Sequence, residues 1–352
     1  MSKFAIFIAL PEELDAAISV LSNYGSLDGE MSDVTAGQRI FDYQLDSPKG
    51  SIAGQVYLIR GMGNTKSAAF VGSSLDIGAP PEHALLIGIS GSLCPGKVGL
   101  GHVVMSSHVK HYSPDKVKCF SAKSLKEIPS ASASDICDPE SRAQSSDFRE
   151  KGKILIDGRD KILDKSHYRY LRQRIFRNNE QRELKKFLKS HGSVISGDDG
   201  RKYELHHGAI LGSNMVIDSE EYVEYLLQKN FCDDVDFYKL NHPDEHKERC
   251  VWDESDLLAV DMESYGFFSA FSDFQYYSSS VRAVAFRGIS DLAFGKGDLD
   301  GKSKGEHRRQ ATKNAVATAL KYLHEQYGIT EFDLPSAGFG KAPSENSQPA
   351  PK

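Results

Sequence analysis

The chain has no long hydrophobic run, no cysteine pairing motif, no strong charge of either sign and no P-loop. Each absence closes a class of function. Among its 352 residues no apolar stretch reaches the length of about 18 that a membrane span needs. The opening "MSKFAIFIAL" runs straight into Pro11 and two glutamates and has no small-residue cleavage site. A first buried strand is expected there, rather than a secretion signal. The five cysteines (Cys94, Cys119, Cys137, Cys232, Cys250) form no C-x-x-C pair and are odd in number. That argues against a disulfide framework and a cysteine-bound structural zinc, and it fits a reducing compartment, with the cytoplasm as the expected location. A net charge of -6 speaks against a general nucleic-acid binder. No internal repeat is present.

What is there reads as strands alternating with helices, in a chain that is 39% hydrophobic and able to bury a proper core. "FAIFIAL" is a buried-strand run, and "EELDAAISVLSNY" follows with helical spacing. Weaker polar strands, a strand "QVYLIRG", a helix "NTKSAAFVGSSL" and the strands "HALLIGIS" and "GHVVMSSHV" come next. This order predicts an α/β fold with a mixed, covered sheet. The pattern breaks over about residues 112–203. "PSASASDICDPESRAQSSD" is Ser-rich and reads as a mobile loop. Residues 151–190 are dense in Lys and Arg, and Tyr170, Leu171, Ile175, Leu184 and Leu188 keep helical spacing, so a basic helical insertion is expected. The alternation returns with "GAILGSNMVI", a strand with a glycine-bounded turn, the helix "ESYGFFSAFSDF", the buried strand "VRAVAFRGIS" and the closing helix "KNAVATALKYLHEQY". One domain over residues 1–332 is expected, with a Pro/Gly/Ser-rich disordered tail over 333–352.

Four places could carry chemistry, each near the C-terminal end of an expected strand, where open α/β sheets bind ligands. In "ALPEEL", Glu12 and Glu13 open a helix, which the helix dipole alone would also favour. In "GMGNTKSAA", Gly61 and Gly63 allow a tight turn whose exposed N–H groups suit an anion or a sugar hydroxyl, although a plain βα turn reads the same way. In "GISGSLCPGKVGLGHVV", small residues including Ser90 and Gly91 permit close ligand approach, or form a glycine-rich connection. The last is the pair "VDMES" and "FRGISDLAFGKGD". Asp291 follows a very apolar strand, and partial desolvation there favours the protonated carboxyl that a general acid needs. Helix capping by Ser290 or Asp291 is the plainer alternative.

These segments, in this order, resemble the successive motifs of the purine nucleoside phosphorylase and uridine phosphorylase superfamily. The nearest branch is the methylthioadenosine/S-adenosylhomocysteine nucleosidases and related nucleosidase domains of bacterial effectors. The resemblance spans about residues 3–110 and 205–325. It implies a three-layer αβα nucleoside phosphorylase-like fold with a mixed central sheet. It also implies roles. Glu263 accepts hydrogen bonds from ribose hydroxyls while Met262 packs on the sugar. Asp291 protonates N7 of a purine, adenine being favoured, with Ser290 orienting the site. Glu13 activates the attacking water. Gly63, Ser90 and Gly91 line the pocket, and Val216 and Ile217 hold the base. The sequence departs from the family in three places: Val216 stands where an aromatic residue is usual, Asn214 replaces an Asp, and Ile89 and Ser90 reverse the usual order of small residues. The reaction implied is hydrolysis of an N-glycosidic bond. Phosphorolysis stays open as an alternative, with Arg39 and Arg60 the nearest cations for a phosphate, as does a non-catalytic nucleoside-binding module. No cofactor or metal is called for.

The insertion has two readings. It is a solvated helical cap or dimer contact, or Arg169, Arg172, Arg174 and Arg177 grip the 5′-phosphates of a nucleotide. The second would make the enzyme an AMP or ATP nucleosidase, like effector domains that drain adenine nucleotides in antiviral defence. Nucleic-acid contact is a weaker third reading. The family's habit of assembly implies a homodimer at least. "HPDEH" puts His242 and His246 four apart, a spacing a metal could use, although a solvated turn fits as well. The pair His206 and His207 is expected to precede a strand near the pocket, without an assigned role.

Overall fold

The computed structural model describes residues 2–28, 39–75, 80–114, 171–177, 180–197, 200–218, 223, 257–273, 281–295 and 301–329. The Ser-rich segment, most of the basic insertion including Arg169, His242, His246 and the tail lie outside them.

The elements in chain order are β1 (Phe4–Ile8), α1 (Pro11–Tyr24), β2 (Gly25–Leu27), β3 (Ile40–Leu45), β4 (Ile52–Leu58), α2 (Asn64–Leu75), β5 (His83–Ser92), β6 (Val103–Pro114), β7 (Leu171–Arg177), α3 (Gln181–His191), β8 (Val194–Ser196), β9 (Lys202–Gly212), β10 (Leu257–Asp261), α4 (Ser264–Asp273), β11 (Arg282–Asp291) and α5 (Gly301–Gln326). The main sheet runs β10-β9-β6-β11-β5-β1-β4-β3-β2, and β10 also pairs with β5, so five of its strands close into a ring. Pairing is mixed: β1, β4, β5 and β11 are mutually parallel neighbours, while β6 runs antiparallel to β11 and β10 antiparallel to β5.

The continuous apolar strands are explained by cover on both faces. Phe4, Ile6 and Ile8 of β1 enter one core with α1, α3 and α5, while Ala5 and Phe7 enter a second with α2 and α4. This is the expected three-layer αβα arrangement. Gly288 of β11 lets α5 approach closely, since a Cβ there would sit 2.0 Å from the Ala311 carbonyl oxygen.

Two expectations are corrected. Leu171–Arg177 is not helical: it is strand β7, paired antiparallel with His108–Pro114 of β6. Leu171 and Ile175, four apart, fit a helix turn or one face of a strand equally well, and the free edge of β6 decides between them. The helical part of the insertion is α3, whose Leu184 and Phe187 are buried in the first core. His206 and His207 do not precede a strand but lie within β9. That strand ends at Gly212, and the glycine-bounded turn expected in "GAILGSNMVI" follows it.

Candidate active site

The site starts from a charge that burial would forbid unless it were paired. Arg287 stands in the middle of β11 and is 1% exposed. Its Nη2 donates to Glu263 Oε2 at 2.8 Å. Its Nε lies 2.9 Å from Asp261 Oδ2, without the alignment of a hydrogen bond. Asp261 ends β10 and accepts the backbone N–H of Ser264 at 3.1 Å and also the Ser264 hydroxyl, so it caps α4 and anchors the guanidinium together. Pairing with Arg287 is what lets so apolar a segment bury two acids.

Glu13 approaches from the other side. It occupies the third position of α1, where Oε2 accepts Leu10 N–H at 3.0 Å. This is half of a capping box, the other half of which Leu10 has no oxygen to supply. Its Oε1 accepts Ile89 N–H at 3.0 Å, which ties α1 to the end of β5. Gly88 leaves room for this meeting. A Cβ there would fall 2.7 Å from Arg287 Nη1 and 2.8 Å from Glu13 Oε1.

Three carboxylates thus surround one guanidinium. Burial pushes Glu13 above the usual carboxylate range against the pull of Arg287. Burial, and then the charges of Asp261 and Glu13, raise Glu263 to about 7 despite the neighbouring Arg287. Burial opposes the charge on Arg287, but Asp261, Glu263 and Glu13 outweigh it and hold the guanidinium protonated.

The remaining residues close around it. Gly63, at φ 108°, aims its N–H at Glu263 Oε1 from 3.4 Å. Asn64 opens α2 and bridges three segments: its side chain donates to the Ser213 carbonyl at 3.0 Å and to Asn214 Oδ1 at 2.9 Å, and accepts Gly266 N–H at 3.0 Å. Asp291 is half-buried at the end of β11, where it accepts Ala293 N–H and the Ser290 hydroxyl, each at 3.0 Å. A Cβ on Gly91 would lie 2.8 Å from Asp291 Oδ1. The Ser90 hydroxyl is buried without a protein partner. Arg60 and Ala293 are the non-glycine residues with positive φ among the described residues, and they flank the two site loops. Backbone strain of this kind collects at functional sites.

Glu13, Gly63, Ser90, Gly91, Glu263, Ser290 and Asp291 are therefore brought together, with the half-buried Met262 beside them. Asn64 ties the turn that leads to Val216 and Ile217 to the same place. Ile217 is buried there, but Val216 is 62% exposed and forms no wall by itself. Of the two cations expected for a phosphate, Arg39 is exposed and lies over the Phe70 ring, and Arg60 stands in the strained turn before Gly61. Arg172, Arg174 and Arg177 stand on β7 opposite Ser113, His111 and His108 of β6. His111 in turn stacks on Tyr265, in the first turn of α4, with ring centroids 3.9 Å apart. Sequence reasoning missed Arg287 and Asn64. The signal for Arg287 was an arginine inside the buried run "VAFRGIS"; Asn64 carried none beyond its place at a helix start.

Solved structures share this fold. Futalosine hydrolase of Helicobacter pylori strain 26695 superposes with a TM-score of 0.51 at 13% identity, over 92% of this chain and 98% of its own. A 5′-methylthioadenosine/S-adenosylhomocysteine nucleosidase from the same organism, solved with butyl-thio-DADMe-Immucillin-A, gives 0.51 at 14% identity, over 92% and 99%. The enzyme of that name from Neisseria meningitidis, solved with methylthio-immucillin-A, gives 0.50 at 14% identity, over 92% and 99%. No protein-family model and no curated protein matches the chain. At these identities the likeness is one of fold.

Proposed function

We propose that the chain hydrolyses the N-glycosidic bond of a purine nucleoside or nucleotide and releases the free base, adenine in the first instance. The observation that carries this reading is the buried Glu13–Arg287–Glu263 cluster beside Asp291. Breaking the bond builds positive, oxocarbenium-like charge on the ribose. Glu263, fixed by Arg287 and Gly63 N–H, chelates ribose hydroxyls and its negative charge favours that transition state. Met262 packs on the sugar, and Asp291, oriented by Ser290, gives its proton to purine N7 so that the base leaves neutral. Glu13 takes a proton from the water that attacks C1′. Gly63, Ser90 and Gly91 line the pocket, and Ile217 with the backbone at Val216 receives the base.

Hydrolysis is favoured over phosphorolysis because the cation at the cluster is already paired. Arg287 is committed to Asp261 and Glu263, and a phosphate dianion would meet three carboxylates around it. A nucleotide substrate, AMP or ATP, is the finer form of the proposal. The pairing of β7 with the strand that carries His111 brings Arg174 within one strand of the residue that touches α4. Turnover of AMP or ATP would drain adenine nucleotides, the action of an antiviral effector. A homodimer acting without a cofactor completes the reading. Among the described residues no helix is long and apolar enough to cross a membrane.

Incubation with methylthioadenosine, adenosine, AMP and ATP, each with and without phosphate, tests this by chromatography of free base. Adenine released without phosphate is expected. Release only with phosphate would transfer the case to phosphorolysis, and no release from any substrate would leave a binding module.

A further inference from the structure

Away from the carboxylate cluster, β6 and β9 start side by side in parallel, with Val103 opposite Leu205 and Val104 opposite His206. Glu204 and His206, two apart on β9, share one face of the sheet. His102, just before β6, reaches the same place, where its ring stacks on that of His206 with centroids 5.3 Å apart. His102 Nδ1 lies 3.1 Å from His206 Nε2. Glu204 Oε2 is 3.6 Å from His206 Nε2 and 4.0 Å from His102 Nδ1. A point equidistant from these three atoms lies about 2.1 Å from each, the length of a zinc–nitrogen or zinc–oxygen bond.

We propose that His102, Glu204 and His206 form a binding site for a borderline transition-metal dication of the Zn²⁺ or Ni²⁺ class. Two imidazoles and one carboxylate suit these ions and not Ca²⁺ or Mg²⁺, which prefer all-oxygen shells. Each neutral imidazole can turn a ring-nitrogen lone pair to a cation in place of the contact between the rings, and burial holds both below the ordinary histidine value, with Glu204 opposing. Lys97 adds positive field at His206, and the Glu204 charge offsets it. Gly99 N–H, 3.2 Å from His102 Nδ1, shares that lone pair, and the arriving cation displaces it. Glu204 is half-exposed, which leaves the ion a path from solvent and an open coordination position.

The site is joined to the end of β11. His102 carbonyl accepts Ile289 N–H and Gly101 N–H donates to the Ile289 carbonyl, both at 2.8 Å. Ile289 stands two residues before Asp291. A bound ion therefore pins the turn at His102 against the strand end that carries Ser290 and Asp291. This inference is independent of the glycosidase reading.

The test uses the untagged full chain, stripped with chelator and titrated with Co²⁺ as a visible probe. A saturating d–d spectrum at about one Co²⁺ per chain, displaced by Zn²⁺, is expected. Zn²⁺ should also raise the thermal midpoint of the stripped protein. His102→Gln and His206→Gln should abolish the spectrum. Glu204→Gln, at a half-exposed position that leaves folding intact, should weaken binding about tenfold or more. The absence of any Co²⁺ spectrum would overturn the proposal. So would binding that survives in His206→Gln, or binding lost instead in His242→Gln or His246→Gln.

Discussion

In the proposed reaction Glu263 and Asp291 have opposite duties toward a proton: one must shed it to hold the ribose, the other must bring one to the base. Asp291 makes its contacts through oxygens that an Asn side chain reproduces in part, so Asp291→Asn should fold normally. Adenine release should fall by about 10²–10⁴-fold, the usual value of a general acid; an unchanged rate in a correctly folded variant would remove Asp291 from the mechanism. On the same proposal Glu263 sets the acid limb. Its value of about 7 means that kcat/KM should fall as pH drops below about 7, with an apparent pKa that belongs to the cluster rather than to Glu263 alone. Stability moves the other way. The folded-state value is raised above the ordinary 4.5, so the stabilising effect of the neutral form is complete below 4.5 and lost as pH rises through about 7. Urea denaturation of the wild type should therefore lose stability between pH 5 and pH 8 more steeply than Glu263→Gln, by roughly 1–3 kcal/mol. Parallel losses in the two proteins would contradict the assigned shift.

Helices α2 and α4 frame the Glu263 end of the cluster, and they touch through Gly266. A Cβ at Gly266 would lie 1.9 Å from the Asn64 carbonyl oxygen, so neither backbone can yield without parting the pair. Gly266→Ala should cost about 1–3 kcal/mol in a denaturant titration and also draw Gly63 N–H away from Glu263, lowering activity. A variant as stable and active as the wild type would show that the contact is slack. Elements like these differ in how well their residues announce them. β1, β5 and β11 are continuous apolar runs because both faces are covered, and a run of that kind reads plainly as a buried strand. The carboxylates Glu13, Glu263 and Asp291 could be found because each closes or follows such a run. β7 could not be read, since its Arg-rich alternation fits an exposed helix until the β6 edge is known. Arg287 was hidden for a related reason: its meaning lies in Asp261 and Glu263, on another strand and in the turn after it, and no local pattern pairs them.

Five strands closed into a ring bring together groups that lie far apart in the chain, from Glu13 to Asp291. The order of motifs made this architecture legible, because strand, helix and strand in repetition leave few ways to cover a mixed sheet. The pairing of β10 with β5, which closes the ring, was not legible, since it rests on only two residue pairs at Gly91 and Ser92. Closure is what sets Glu263 against Arg287 and Glu13 in one dry cluster, and hydrolysis by that cluster is the central claim. The most direct measurement is adenine release in phosphate-free buffer by the wild type and by Glu13→Gln. Turnover by the wild type, reduced about 10²-fold or more in Glu13→Gln, is expected. Wild-type turnover that depends on phosphate, or a Glu13→Gln variant as fast as the wild type, would contradict it.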